Sequence, residues 1–351
     1  MSAQSTSLAN ALPQPRTTPL KGGPTLRWGV LAPGEIAADF VHALHSYTDQ
    51  RVHAVASRSA ERAERFAAHN GIERSYGSYE QLVADPHIDI VYVSSPNSEH
   101  RRLALLAIAA GKHVLVEKPM GTSAADAREI VDAARAAGVF AMEAMWSRYL
   151  PQTDVIRQLL DDGVLGEITV VTADFGANFM SEPDGIVFRP ELGGGVLRDI
   201  GIYALWFSSF VLGSPESIVA SGSFTDSGVD GQAAMILTAP SGAQSLLSTT
   251  MYADTPTVAT ISGSTARIEI DSPFLMPGGF TLHSDNGGAP ITWNDASGLL
   301  LRDGLAWESV GVAQHIADGL TESPLHPLDE TLSVLRTLDE VRRQITPHPA
   351  L

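Results

Sequence analysis

Three residues stand out for the chemistry they could do together. Lysine is scarce: only Lys21, Lys112 and Lys118 occur, against twenty arginines. Lys118 closes the apolar run HVLVEK (113–118), and the C-terminal edge of a parallel strand is where ligands of open α/β sheets bind. Arginine stays protonated, whereas lysine is a compact cation whose pKa shifts with its surroundings and which can orient a hydroxyl or carbonyl. Asp199 and Tyr203 are four apart in the nearly all-apolar stretch VLRDIGIYALWF, a spacing that predicts one helix face with the two side chains one turn apart. An aspartate in that setting must be paired. A tyrosine at its ordinary pKa of about 10 is a poor base at neutral pH unless a cation stabilises the phenolate, and Lys118 is a candidate cation. The ordinary alternatives are a lysine snorkelling at a strand end, an aspartate capping an early turn and a half-buried tyrosine ring with its hydroxyl satisfied.

A second group of residues points to a dinucleotide. The turn after the first apolar run reads Gly29-Val30-Leu31-Ala32-Pro33-Gly34-Glu35-Ile36-Ala37. In a βαβ unit, small residues here let the backbone approach a pyrophosphate, whose charge then sits on the N-terminus of the next helix. Ala32 stands where the first fingerprint glycine is expected and Ala37 where the third often is, so the candidate cofactor turn is Ala32, Pro33, Gly34, Glu35 and Ile36. The second run ends in Ser57-Arg58 in place of the acidic residue that would hold an NAD ribose. A 2′-phosphate needs a cation and a hydroxyl, so NADP is expected over NAD, with Arg62 one helical turn further on as a second cation. A plain strand-to-helix turn and two solvated arginines are the competing readings.

From Leu26 onward, β-rich apolar runs alternate with helical ones, and these are the elements that must carry the candidate residues. LRWGVLA, VHAVAS, IDIVYVSS (88–95), HVLVEK and VFAMEAM (139–145) alternate with helices. Ser59 caps one of these and Gly71 stops it; another opens at Ser123 with Asp126 three residues on. Runs apolar on both faces belong in a covered parallel sheet. After Pro151 the pattern becomes alternating, in ITVVTADF (168–175), SLLSTTMYA (245–253) and ARIEI (266–270), as in an antiparallel sheet exposed on one face. Leu328, Leu332, Leu335, Leu338 and Val341 make the apolar stripe of a closing helix. The expected fold class is α/β, with a flexible N-terminal arm (1–24), a Rossmann dinucleotide-binding domain (25–147) and an α+β domain (148–351) with an open, largely antiparallel sheet.

Composition narrows the function. The 351 residues carry a net charge of −17, which repels phosphate backbones and anionic lipid; neither nucleic acid nor a membrane is an expected partner. There is no cysteine, which excludes disulfides, thiolate-held metal and cysteine nucleophiles, and no metal site is expected. Residues 1–24 have no apolar run long enough for the core of a signal peptide, no membrane span is expected, and a cytoplasmic location is.

SSPNSEH (94–100) and VEKPM (116–120), together with RWGVLAPGEIA, make the chain resemble the glucose–fructose oxidoreductase / inositol dehydrogenase (Gfo/Idh/MocA) family of NAD(P)-dependent oxidoreductases. MEAMWSRYLP (142–151) and GGGVLRDIGIYAL (193–205) look closest to its dimeric dihydrodiol dehydrogenase and NADP-dependent D-xylose 1-dehydrogenase branch. The resemblance implies that Ser95, Pro96, Asn97 and His100 line the cofactor, that Glu117, Lys118 and Pro119 present the catalytic lysine, and that Trp146 and Arg148 flank the nicotinamide end. It also implies that Asp199 and Tyr203 complete the site and that the second domain's sheet joins subunits into a homodimer or homotetramer. Many relatives carry histidine where Tyr203 stands; tyrosine points to the sugar/dihydrodiol branch.

The chemistry expected is hydride transfer between a nicotinamide and a hydroxyl-bearing carbon of a sugar or diol. Tyr203 is general base in oxidation and acid in reduction, Lys118 positions the reacting oxygen and Asp199 orients the substrate or the lysine; the reverse assignment of Lys118 and Tyr203 stays open. So do a keto- or anhydro-sugar reductase, a non-catalytic NADP(H) sensor and a redox-assisted glycoside hydrolase. The stretches Phe179 to Pro190 and Asp271 to Asn294 are expected to be loops that shape the pocket.

Overall fold

The computed structural model describes residues 12–285 and 287–345. Its first unit is a six-stranded parallel sheet built from β1 (Arg27–Leu31), β2 (Arg51–Ala56), β3 (Arg74–Tyr76), β4 (Ile90–Val93), β5 (His113–Glu117) and β6 (Ala141–Ala144). The order is β3-β2-β1-β4-β5-β6, so the strand order reverses between β1 and β4, where open sheets of this kind leave a ligand crevice. Helices α1 (Glu35–Tyr47), α2 (Ala60–Asn70), α3 (Tyr79–Val83), α4 (His100–Ala109) and α5 (Ala124–Ala137) connect the strands. Local chemistry sets their ends: Ser59 and Ser123 each accept a main-chain N–H from three residues on, and Gly71 closes α2 in the left-handed region at φ 64°.

The second unit opens with α6 (Pro151–Asp161), β7 (Ile168–Gly176) and α7 (Ile202–Leu212). It continues through β8 (Ser217–Phe224), β9 (Asp230–Thr238), β10 (Gln244–Thr250), β11 (Ala259–Gly263), β12 (Ala266–Ile270), β13 (Gly279–Ser284) and β14 (Ile291–Asn294). These eight strands form a sheet of order β14-β13-β12-β11-β7-β10-β9-β8, antiparallel except for the β7/β10 pair. One face is covered by α7. The stretch Pro190–Leu212 is long and apolar enough to cross a membrane, but 67% of its most apolar window is buried inside the protein, where α7 packs on β7 and β10.

Helices α8 (Leu305–Ala317) and α9 (Leu328–Gln344) return to the first unit, α8 against α1 and α9 against α5. Leu328, Leu332 and Leu335 join the core on the α5 side of the parallel sheet, and Val334, Leu338 and Val341 join the core shared with the second sheet. A cut at residue 147 therefore separates the strands of the two sheets but not their helices. That shared core runs from Trp28, Phe40 and Tyr92 to Tyr203, Met235 and Ile268, so the two sheets are joined by one continuous core.

Three expectations change. Residues 1–11 of the arm lie outside the described residues, and residues 12–24 are docked where a flexible arm was expected. Asp154 accepts the Arg16 N–H at 2.6 Å, Gln158 donates to the Gln14 carbonyl at 2.9 Å and Gln50 to the Pro24 carbonyl at 2.8 Å. The stretch Asp271 to Asn294 carries the edge pair β13/β14, whereas Phe179 to Pro190 has no strand and only short 3-10 turns. The turn before α7, Leu197–Gly201, is π-helical, so Asp199 and Tyr203 do not sit on the regular α-helical spacing that their sequence separation suggests.

Candidate active site

Lys118 leaves the end of β5 with its side chain only 16% exposed. Its ammonium donates to the Asp199 main-chain carbonyl at 2.6 Å and lies 3.4 Å from Asp199 Oδ1. It also stands 5.3 Å from the centre of the Tyr203 ring. The wide π turn rearranges the main-chain bonding at Asp199, and that is where the lysine docks. Burial by itself would push the Lys118 ammonium down, but Tyr203, Asp199 and Glu117 outweigh it and hold its pKa above the ordinary value. The lysine is therefore a fixed cation.

Tyr203, in the first turn of α7, is 6% exposed. Burial raises its phenol above the ordinary value, while the Lys118 charge and a hydrogen bond from Trp146 work in the opposite direction. The Trp146 indole N–H donates to the Tyr203 hydroxyl at 3.0 Å. Gly304 must be small here, because a Cβ would meet the Trp146 ring at 2.7 Å.

Beneath the lysine, Glu117 is 7% exposed. It accepts the Tyr92 hydroxyl, and the Lys118 main-chain N–H at 3.1 Å. Glu143 of β6 then holds the chain after the lysine by accepting the Met120 N–H at 2.8 Å, and it pairs with His326 at 3.1 Å. The Lys118–Pro119 bond is cis.

The cofactor turn lies between β1 and α1. Ala32 has φ 66°, a left-handed conformation that glycine adopts without strain and alanine does not. Its position is the one where a fingerprint glycine is expected. Gly34 N-caps α1 with no side-chain cap, and a Cβ there would meet nothing within 4 Å. The first N–H groups of α1 thus face open space at the reversal of strand order, which fits a pyrophosphate. Glu35 and Ile36 form the first turn of α1. Ser57 is buried at the end of β2, its hydroxyl accepting the Ser59 N–H at 3.3 Å, and Arg58 beside it is exposed. Arg62 reaches back to donate to the Pro33 carbonyl at 2.7 Å, which ties the second cation to the turn. Burial raises the Tyr79 phenol, and Arg58, Arg102 and Arg62 all act against that; Arg102 lies 5.8 Å over its ring. Arg102 and Tyr79 were not singled out in the sequence.

Several residues do other work than expected. His100 is completely buried, its ring nitrogens 2.8 Å from the Pro119 and Ser95 carbonyls. Its side chain fixes the backbone on which Ser95, Pro96 and the lysine turn sit; it does not line a cleft. Glu117 likewise faces Tyr92 and the main chain. Asn97 donates to the Gly193 carbonyl at 3.1 Å and clips the two units together. Arg148 is also turned away from the lysine: its guanidinium lies 4.4 Å over Phe210, binds the Leu325 carbonyl and pairs with Glu330 at 3.5 Å. Phe175, 6.1 Å from the Tyr203 ring, is a wall of the site that sequence reasoning missed.

Residues 26–145 match a family model described as an oxidoreductase family with an NAD-binding Rossmann fold, and residues 153–269 match the GFO/IDH/MocA C-terminal domain. The chain is 35% identical over 329 residues to the trans-1,2-dihydrobenzene-1,2-diol dehydrogenase of Macaca fuscata fuscata, covering 91% of this chain and 97% of that protein. The human protein of that name is 34% identical over the same shares. Among solved structures, a 3-ketoreductase from Actinomadura kijaniata, in complex with NADP and TDP-benzene, superposes with a TM-score of 0.81 at 28% identity, covering 92% of this chain and 98% of that one. An aldose-aldose oxidoreductase from Caulobacter crescentus gives 0.80 at 28%, covering 91% and 97%.

Proposed function

Since the chain belongs to the Gfo/Idh/MocA oxidoreductase family, we propose that it is an NADP-dependent dehydrogenase acting on a hydroxyl-bearing carbon of a diol or sugar. The observation that carries this reading is the Lys118 ammonium held between Asp199 and the Tyr203 ring, with the Trp146 N–H on the Tyr203 hydroxyl. The nicotinamide cofactor, when bound, exchanges the hydride. This chain's own residues manage the proton and the geometry. Tyr203 takes the proton of the substrate hydroxyl in oxidation and returns it in reduction. Its phenolate is stabilised by the Lys118 charge and the indole N–H. Lys118 stays charged throughout and orients the reacting oxygen; Asp199 anchors the lysine through its main-chain carbonyl and turns a 41% exposed carboxylate toward the substrate side.

Ser57 and Arg58, with Arg62 bound to the cofactor turn, support NADP over NAD. Similarity to dihydrodiol dehydrogenases at 35% identity supports a vicinal diol as substrate, and similarity to an aldose-aldose oxidoreductase supports a sugar. The open face of the second sheet carries Val219, Ile236, Leu246 and Val258 exposed, which supports a homo-oligomer built through that face. Rates of NADP+ and NAD+ reduction with a trans-dihydrodiol, D-xylose and D-glucose, beside NADPH oxidation with keto sugars, test the reading. Turnover of a diol or sugar with NADP(H) preferred is expected; tight NADPH binding with no turnover in either direction would replace it with a sensor.

A further inference from the structure

A second buried carboxyl, within electrostatic reach of Glu117, is not used by the chemistry above. Glu308 of α8 is 0% exposed, and neither of its oxygens has a hydrogen-bond partner. The 3-10 turn Leu301–Gly304 runs directly into α8, so Glu308 lies a full turn inside a continuous helical run, away from the free N–H groups at its start. The groups that face it are acidic or neutral. Glu117 of β5 acts on it, and it acts in turn on Tyr92 of β4 and on Tyr149. The charged groups of the neighbouring elements are engaged with one another: Arg302 with Asp39 and Glu35 of α1, and Asp303 with His42. On α8 itself, the charge acting on His315 is Asp318.

Glu117 and Glu308 are thus two buried carboxyls in unequal surroundings. Burial raises the Glu117 carboxyl, but it receives two donors, the Tyr92 hydroxyl and the Lys118 N–H, and the Lys118 ammonium, all of which favour its charge. Glu308 receives none. An ionised carboxylate in a dry interior with neither donor nor cation is far costlier than an underused neutral carboxyl, and a like charge alongside adds to the cost. We infer that Glu308 is carried as a neutral carboxylic acid, leaving Glu117 as the single negative charge beneath Lys118. Burial first, and Glu117 second, push its ionisation well above the usual carboxylate range. Glu117 already raises the Tyr203 phenol, and a second negative charge would oppose the phenolate further. The protonation state of Glu308 does not depend on the reading proposed for Tyr203.

The test is infrared difference spectroscopy of the whole protein at pH 7 without substrate, wild type against Glu308→Gln. The expected result is a protonated-carboxyl carbonyl band that the substitution removes. Glutamine keeps the shape and neutrality of the acid, so kcat/KM at pH 7 should stay within about threefold. Glu308→Leu, which asks for no hydrogen bond, must lose the same band and covers the case in which the glutamine variant does not fold. No removable carboxyl band would overturn the inference, as would a more than roughly tenfold loss of kcat/KM in folded Glu308→Gln at pH 7. If no substrate is turned over at all, the infrared result still decides the state of Glu308, so failure of the two readings is told apart.

Discussion

Trp146→Phe separates two roles for one residue. The family resemblance puts Trp146 beside the nicotinamide, whereas the structure shows its indole N–H donating to the Tyr203 hydroxyl at 3.0 Å in a buried setting. Phenylalanine keeps an aromatic ring and removes the donor, at the cost of some packing volume beside Gly304. A hydrogen bond to a charged partner is worth about 1.5–3 kcal/mol, against about 0.5–1.5 for a neutral one, and the phenolate is the charged partner here. The difference, about 1–1.5 kcal/mol, predicts a loss in kcat for oxidation of about tenfold at neutral pH. Because the lost donor favours the phenolate, the pKa that governs the rising limb of the oxidation profile should move up by about one pH unit. The assay is the pH dependence of kcat and of kcat/KM, with cofactor affinity measured separately by fluorescence titration. If cofactor affinity falls while the limb stays in place, Trp146 serves the nicotinamide and the proton-transfer role built on it is wrong.

Other outcomes follow from single interactions. Arg58→Glu should shift preference from NADP toward NAD by about 10- to 100-fold in the ratio of kcat/KM values, the scale of one or two charge-assisted hydrogen bonds; equal losses with both cofactors would place the 2′-phosphate elsewhere. Gly193→Ala should destabilise by about 1–2 kcal/mol from its left-handed backbone alone, since Gly193 has φ 79° and a Cβ would stand 2.9 Å from that of Asn97; an unchanged denaturation midpoint would contradict this. His326 is fully buried between Glu143 and Glu330. Burial opposes its charge, but the two glutamates outweigh burial and raise its pKa in the folded state. Its stabilisation is then complete below the unfolded value of about 6.5 and is lost as pH rises through the higher folded value. The melting temperature should decline across that window, and His326→Gln should flatten the decline.

Much of this architecture was legible because apolar periodicity and cap chemistry are local. Ser59, Gly71 and Ser123 act where their residue types predict, and the five runs read as strands of a covered sheet lie side by side. Lys118 could be found because its scarcity and its place at a strand end are both visible in the chain. The remainder depends on packing between distant segments. His100 and Arg148 are polar residues in motifs, and sequence cannot tell a side chain that faces a cleft from one that braces the backbone behind it. The π turn at Leu197–Gly201 has no compositional mark. Glu308 sits in LAWESVGV, and its burial shows only once α8 is seen packed against α1 and the turn Trp146–Tyr149. The arm was read as flexible because polar residues look solvated, yet its anchors, Gln50, Asp154 and Gln158, belong to other elements.

The proposed mechanism turns on Tyr203 moving the proton while Lys118 remains a fixed cation. Single-turnover stopped-flow measurement of the reduced-nicotinamide band tests this division of labour, using enzyme pre-bound to NADP+ and mixed with a diol or sugar substrate, for wild type, Tyr203→Phe and Lys118→Ala. In Tyr203→Phe, cofactor affinity should change only a few-fold while the hydride step slows by about 10²- to 10⁴-fold. Lys118→Ala should slow comparably, with the double variant little worse than either. A Tyr203→Phe enzyme that transfers hydride at close to the wild-type rate would contradict this mechanism and move the proton to Lys118.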